Sequence, residues 1–572
     1  MQFKQTLVRL FFLLTPFTVF SQATTYLPQD ARESILLERL EIKAQTDSVL
    51  NFSKIKPFSR RNIVYDLKSN WNRYKYGEAA HHYYMDQMKQ VFTPVDNFNF
   101  FRALENNSEY FSDSISFKSK KTFLKNFYKS PANFYEVHNK DFFLALNPVL
   151  QFYLGKENNN DERIFLNSRG VTLRGSIANK IGFAAYVADN QERDPLYVQQ
   201  MVTAHKAVPG AGFYKPFKTT GYDYFDARGY ITLNAIKAID IQFGYDKNFI
   251  GNGFRSLFLS DFSAPYLFLK LNTRIWKFNY QNLFMELQTT GRLPGDQLIP
   301  KKYAAMHHLD VGITKWLNVG FFEAILFGRK DHFEFGYLNP VIFYRSLEQQ
   351  NGSFDNALVG LDAKANVAHK FQFYGQLLLD EFNLSELRKH PDWWGNKFGY
   401  QLGAKYIDAF NIKNLDLQVE SNRVRPFTYS HGDSVSNYTH YNQPLAHPLG
   451  ANFQELIGIA RFQPAPKWFL QAKAIYFMQG KDTGNTSFGS NIFLPYLPPY
   501  RTQEYGFNVG GPIKGKTTMA SMLVSYEWKP NFFFELSAVL RKESPTTIGA
   551  AKNTSIIYAG FRWNMQRREF DF

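Results

Sequence analysis

From about residue 140 onward, apolar side chains recur at every second position in segments of roughly 9 to 13 residues, the length and period of strands that cross a bilayer. Pairs of such segments flank tight turns. Val171, Leu173 and Ile177 precede Asn179-Lys180, and Ile181, Phe183 and Ala185 follow it. Leu309, Val311 and Ile313 meet Val319 and Phe321 across Lys315 to Asn318. Tyr400, Leu402, Ala404 and Tyr406 meet Leu415, Leu417 and Val419 across Ala409 to Asn414. Met522, Val524, Tyr526 and Trp528 meet Phe532 and Phe534 across Lys529-Pro530-Asn531. Between the hairpins lie longer polar stretches with Gly and Pro, near 189–226, 248–264, 289–304, 329–356, 381–396, 423–454, 479–514 and 542–552. Short and long connections therefore alternate, as in barrels whose turns are tight on one side of a membrane and long on the other.

Eight short-turn hairpins, a first strand near 142–154 and a last near 553–565 predict an all-β transmembrane barrel of about 18 antiparallel strands. The tryptophans give an independent signal. Trp276, Trp316, Trp468 and Trp528 fall at short turns, and Trp563 falls near the end of the last strand. Indole prefers the headgroup region, so these five are expected to form a membrane-interface belt. The terminal Phe570-Asp571-Phe572 resembles the aromatic end of a barrel's last strand, which acts as an assembly signal.

Residues 1–21 read as a signal peptide: Lys4 and Arg9 flank the apolar run Leu10 to Phe20, and Ser21 is a small residue at the expected cleavage point. Residues 22–140 read as a partly helical periplasmic module or plug. Ser59 is placed to cap a helix carrying Ile63, Val64, Leu67 and Trp71; Ile35, Leu36 and Leu40 suggest another, and Gly77 to Val91 a third. A barrel of this size otherwise leaves a channel. Residues 141–572 form the barrel proper.

Composition narrows the function. With 58 Phe, 34 Tyr and 8 Trp among 572 residues, disorder is excluded. The absence of cysteine removes thiol catalysis, Cys-based metal sites and disulfides. The formal charge of +16 is spread along the chain without a dense basic block, so no nucleic-acid partner is expected; the charge suits anionic lipid or acidic polysaccharide.

Several motifs are read and set aside. Gly510 to Thr517 spells a phosphate-binding loop, but the alternation at Met522, Val524 and Tyr526 is a strand where that loop needs a helix. His81-His82 and His307-His308 are adjacent pairs that point in different directions, while His431, His440 and His447 share one loop; no metal and no cofactor is expected. Glu286, Glu323, Glu420 and Glu535 are expected to point inward, as acids of a polar lumen do without catalysis. No enzyme is expected. The loops do carry groups suited to sugars: Trp393 and Trp394 with Asp392 and Asn396, Tyr438, His440 and Tyr441 with Asn442, and Tyr496, Tyr500 and Arg501. Aromatic faces stack on the apolar face of a sugar ring while neighbouring polar groups satisfy its hydroxyls.

Together, Gly251-Asn252-Gly253 with Ser256 to Asp261 and Ala264-Pro265, Asn339-Pro340 with Gly352 to Asn356 and Gly360-Leu361-Asp362, and Tyr438-Thr439-His440 leading to His447 to Asn452 resemble the Wzi capsule-assembly family. Asn147 to Leu150, Arg169-Gly170 and Lys56 to Arg60 add a likeness to its Bacteroidetes gliding motility (RemB) branch. The resemblance implies an outer-membrane barrel of 18 strands, closed toward the periplasm by helices, that holds capsular polysaccharide, with gliding motility as the role of that branch. The partners it implies are surface polysaccharide and outer-membrane lipid. A diffusion channel and a structural partner of other envelope or motility proteins are the alternative readings.

Overall fold

The computed structural model describes residues 22–572 except 30, 46–48, 76–92, 111–118, 120, 121, 123–125, 237, 292, 294, 296, 330, 331, 353, 485 and 548. The readings of residues 1–21, of Gly77 to Val91, of His81-His82 and of the Trp71 side chain lie outside the described residues.

Eighteen spanning strands form one closed antiparallel barrel. They are β1 Phe142–Glu157, β2 Ile164–Ile177, β3 Ile181–Arg193, β4 Gly221–Ile236, β5 Ile239–Asp246, β6 Tyr266–Ile275, β7 Phe278–Gln288, β8 Lys301–Gly312 and β9 Leu317–Phe327. The second half comprises β10 Asn356–Val367, β11 Phe371–Glu381, β12 Lys397–Tyr406, β13 Leu415–Val424, β14 Phe453–Phe462, β15 Trp468–Lys481, β16 Ile513–Lys529, β17 Phe532–Glu543 and β18 Lys552–Trp563. Each strand pairs with its sequence neighbours, and β18 closes on β1 from Ile556↔Glu157 to Trp563↔Leu150. Closure leaves no edge, so every strand pairs on both sides.

The turns at one end are short, and several use left-handed residues. Ala178-Asn179 and Ala368-His369 both have φ between 51° and 56°, the geometry that matches a two-residue turn to strand twist. Phe321, Leu361, Leu402, Val419, Met522 and Leu536 stand exposed on the outer face. A continuous apolar wall of this kind belongs in lipid. Trp276, Trp316, Trp468, Trp528 and Trp563 all lie at the short-turn end, the first four well exposed.

Among the described residues, three helices fill the short-turn end of the lumen: α1 Arg32–Ala44, α2 Arg60–Lys75 and α3 Pro94–Asn106. Ser59 Oγ accepts from the Asn62 amide at the start of α2, and Ile63, Val64 and Leu67 turn inward. Thr93 and Asp96 cap α3 reciprocally. The helices share an apolar core of Leu36, Leu37, Leu40, Ile63, Leu67 and Leu104. Polar side chains of the helices and of the segment between the first two meet the wall through buried and half-buried ion pairs on many strands. Arg61 pairs with Asp240, Lys54 with Asp310 and Asp362, and Lys364 with Glu41. Lys405 pairs with Glu38, and Arg32 with Glu527.

The rest of the lumen is filled from the other end, where three expectations need correction. The connections β5–β6 and β13–β14, expected as outer loops, fold into the mouth. They carry Leu257, Phe258, Leu259, Tyr429, Tyr438 and Leu445, all buried in one core against inward residues of β6 to β14. These apolar residues gain more by filling the lumen than by facing water. Next, Phe572 is not on the last strand. That strand ends at Trp563, and residues 564–572 turn back into the lumen, where Phe572 packs against Tyr197 and Phe262. Finally, Glu420 and Glu535 do point inward, but Glu286 and Glu323 point outward. The register pairs Phe268 with Met285 in the lumen core, so Glu286 takes the opposite face, where Lys301 pairs with it at 2.6 Å. Both faces are apolar near β7 to β9, which hides the direction of alternation.

Candidate functional site

The sequence-expected sugar groups separate into two places. On the outer surface, the β11–β12 connection brings Trp393 and Trp394 against Tyr496 and Arg501 of the β15–β16 connection. A short helix, Leu384–Lys389, starts the first of these loops, with Asn383 Oδ1 accepting from the Ser385 and Glu386 amides. Arg425 then fixes the loop's return by donating to the carbonyls of Asn396 at 2.7 Å, Pro391 at 2.8 Å and Trp393 at 3.0 Å. The Trp393 ring lies flat over Gly395, where a Cβ would come within 2.4 Å of it.

Within this cluster the Trp394 and Tyr496 ring centroids are 4.9 Å apart, and Trp393 and Trp394 are 5.9 Å apart. The Arg501 guanidinium sits 4.1 Å over the Trp394 ring, and Lys397 Nζ sits 4.4 Å from the Tyr496 ring. Each such cation–ring contact contributes on the order of 0.5 to 2 kcal/mol. Glu504 ties the group together: it accepts from Trp394 Nε1 at 2.6 Å and from Arg501 Nη1 at 2.6 Å. The Arg501 hydrogen bond, helped by the indole N–H, holds the Glu504 carboxyl below the usual carboxylate range. Trp393, Trp394, Tyr496 and Tyr500 are half-buried, and Tyr505 beside His390 is exposed. The result is a partly exposed aromatic platform braced from within by the buried Arg501 and Lys397, with the exposed Glu504 at its edge, a surface able to stack a pyranose ring and hydrogen-bond its hydroxyls.

Tyr438, His440 and Tyr441 are elsewhere, and the expectation that they stack on sugars is corrected. All three are buried in the folded-in β13–β14 loop. Tyr438 donates its hydroxyl to the Phe258 carbonyl at 2.6 Å. His440 Nδ1 accepts from the Gln288 amide at 3.0 Å and Nε2 lies 3.1 Å from the Pro265 carbonyl, so the ring is neutral with its proton on Nε2. Burial pushes this imidazole down to about 3. Tyr441 packs its ring against the backbone at Gly212 and Gly291. The three side chains join the two inward loops and the wall. His431 and His447, the other histidines of that loop, have separate partners in Asp433 and Glu455.

The sequence reading missed the network that holds the C-terminal tail. Arg255 donates to Asp571 at 3.1 Å and to Glu455 at 3.3 Å, His447 Nε2 lies 2.7 Å from Glu455, and Lys473 pairs with Asp571 at 2.7 Å. The loop bearing Arg255 passes so close to the wall that a Cβ on Gly253 would lie 2.6 Å from Glu420 Oε2. Glu420 in turn accepts from the Phe254 and Arg255 amides. In the sequence, Gly251-Asn252-Gly253 stands out only as part of the family motif, and nothing local names Glu420 as its neighbour. A cavity of about 350 Å³ remains at the centre, bounded by the helices, the tail and the inward loops.

The model of the capsule assembly protein Wzi family matches residues 159–544, more than half of the chain. The chain belongs to the Wzi family. Among solved structures, it is similar to Wzi of Escherichia coli, an outer membrane protein involved in group 1 capsule assembly and described as a carbohydrate-binding β-barrel. The TM-score is 0.56 at 13% identity, over 95% of this chain and 100% of that one, so the Wzi fold is shared almost end to end. Pseudomonas aeruginosa OprD has a TM-score of 0.41 at 11% identity, covering 73% of this chain and 94% of that one. Acinetobacter baumannii OccAB2 has a TM-score of 0.39 at 10% identity, covering 73% and 98%. No curated protein matches the chain.

Proposed function

We propose that this chain is a non-enzymatic outer-membrane barrel that holds surface polysaccharide on the platform of Trp393, Trp394, Tyr496 and Arg501. In this reading the short-turn end faces the periplasm, and the five tryptophans there sit among the lipid headgroups. The helical module then closes the periplasmic mouth after export directed by residues 1–21. The carbohydrate binding described for Wzi of Escherichia coli supports the ligand class. The single observation that carries the reading for this chain is the half-exposed aromatic platform on the outer loops of a barrel whose lumen is filled. That filling also argues against a diffusion channel, because helices, loops and tail occupy the path.

The test is binding of the source's own envelope polysaccharide to purified protein. Trp393→Ala/Trp394→Ala is expected to weaken binding about tenfold or more, the equivalent of roughly 1.4 kcal/mol. Tyr438→Phe, which alters only a buried hydroxyl contact, is expected to leave it unchanged. Absence of any binding by the intact protein would remove the polysaccharide reading. The gliding branch rests on the sequence motifs alone, and loss of gliding with intact capsule in a deletion strain is the result that supports it.

A further inference from the structure

The β9–β10 connection does not stand out from the mouth. Its 3₁₀ turn Phe335–Leu338 and its helix Tyr344–Gln350 lie back against the outside of the wall. The register there is unusual. Asn282, His307 and Glu323 lie side by side on one rung of β7, β8 and β9, all facing outward, while their sequence neighbours Leu283, Met306 and Phe322 face the lumen core. The rung below carries Tyr280, Leu309 and Phe321, and the rung above Phe284, Ala305 and Ile325. Three polar side chains thus occupy the middle of a lipid-facing wall, where a charged group is strongly unfavourable.

The connection covers them. Asn282 Nδ2 donates to the Pro340 carbonyl at 3.0 Å, as does the Tyr280 hydroxyl at 2.7 Å. Glu323 accepts from the Arg345 amide at 2.9 Å, and the His307 ring faces the Tyr344 ring at 4.0 Å. Several of the connection's own backbone groups are also taken up locally: Tyr337 N–H by Glu334 O, Asn339 N–H by Gly336 O, Val341 N–H by Asn339 Oδ1 and Ser346 N–H by Phe343 O. Its Phe335–Phe343 stretch presents an apolar far side, with Phe335 81%, Val341 82% and Phe343 55% exposed, while the following helix turns the polar Arg345, Ser346, Gln349 and Gln350 outward. A stretch built for water would not turn three large apolar side chains outward and its hydrogen-bonding groups toward the wall. Irregular backbone survives at bilayer depth only where its polar groups are satisfied, and here they turn to the wall and to each other.

We propose that residues 332–352 form a flap lying against the bilayer, its inner side capping the Asn282–His307–Glu323 rung, with the outer side of residues 335–343 solvated by lipid acyl chains and the polar outer side of the helix reaching toward the headgroups. This goes beyond polysaccharide holding and rests on the membrane part of that reading. The chain has no cysteine, so single labels are clean. Val341→Cys and Phe335→Cys would each carry a bimane label in phosphatidylcholine vesicles with brominated acyl chains. Phe321→Cys serves as the wall reference and Asn508→Cys as the aqueous reference. The expected result is that labels at 341 and 335 are quenched by brominated lipid as strongly as at 321, and little by iodide. Iodide quenching at the level of 508 overturns the proposal in favour of a flap in water. Protection from both quenchers overturns it in favour of a covering protein. Failure at 321 overturns the membrane reading itself, and the proposal with it.

Discussion

Asp571 joins the C-terminal tail to two buried cations of the barrel interior. Burial works against its charge, but Arg255 and Lys473 override this and hold the carboxyl well below the usual carboxylate range. Asp571→Asn leaves both cations facing a neutral amide, and breaking a buried pair in this way costs about 3–5 kcal/mol. The expected outcome is a lower midpoint of urea unfolding in lipid vesicles. The pH sign follows from the same group. Its folded pKa is depressed, so its stabilisation is complete above its unfolded pKa of about 4 and is lost as pH falls through the folded one. His440 adds to this. Its unfolded imidazole takes a proton near pH 6.5 while the buried one resists until about 3, so stability drops as pH falls through that window. Unfolding midpoints measured from pH 7 to pH 4 are expected to decrease steadily, and His440→Gln is expected to flatten the upper part of the decrease.

At the scale of elements, much of the wall was legible because a strand's two faces are written into alternate residues. The turns at Asn179-Lys180 and Ala409 to Asn414 and the short-turn tryptophans were read from spacing alone. The helix after Ser59 was legible from Ile63, Val64 and Leu67. The helix opened by Thr93 was not read, because its signal is a reciprocal cap between Thr93 and Asp96 followed by Pro94-Val95, short and easily taken for a turn. What stayed hidden was the direction of each long connection. Tyr438 and Trp394 look alike in sequence, yet one is buried by Phe258, 180 residues away, and the other rests on Glu504 at the surface. No local pattern distinguishes them, since burial is decided by a partner from another strand. Glu323 was misplaced because both faces of β7 to β9 are apolar, the outward one being covered by the connection that supplies the Arg345 amide. The platform gives a prediction at this scale. Glu504→Gln weakens the pairing that orders Arg501 over Trp394 and is expected to reduce polysaccharide affinity severalfold without changing the unfolding midpoint, measured on the same preparations.

Across the whole molecule, the helical module touches the wall from β2 to β16, with Arg174, Asp240, Lys364, Lys405 and Glu527 each supplying one end of an ion pair. Because these contacts ring the circumference, the module leaves as a unit or not at all. Intact protein in planar bilayers is therefore expected to show almost no ion conductance, and removal of residues 22–140 is expected to raise it sharply. Removal of residues 564–572 alone is expected to change conductance little, since the module still closes the short-turn end. The inward course of that tail has a practical corollary. Anything genetically appended after Phe572 begins in the crowded interior beside Tyr197 and Phe262. A purification handle or reporter fused there must either squeeze through the protein's centre or evict the tail. One inserted at the exposed Asn508 instead starts outside.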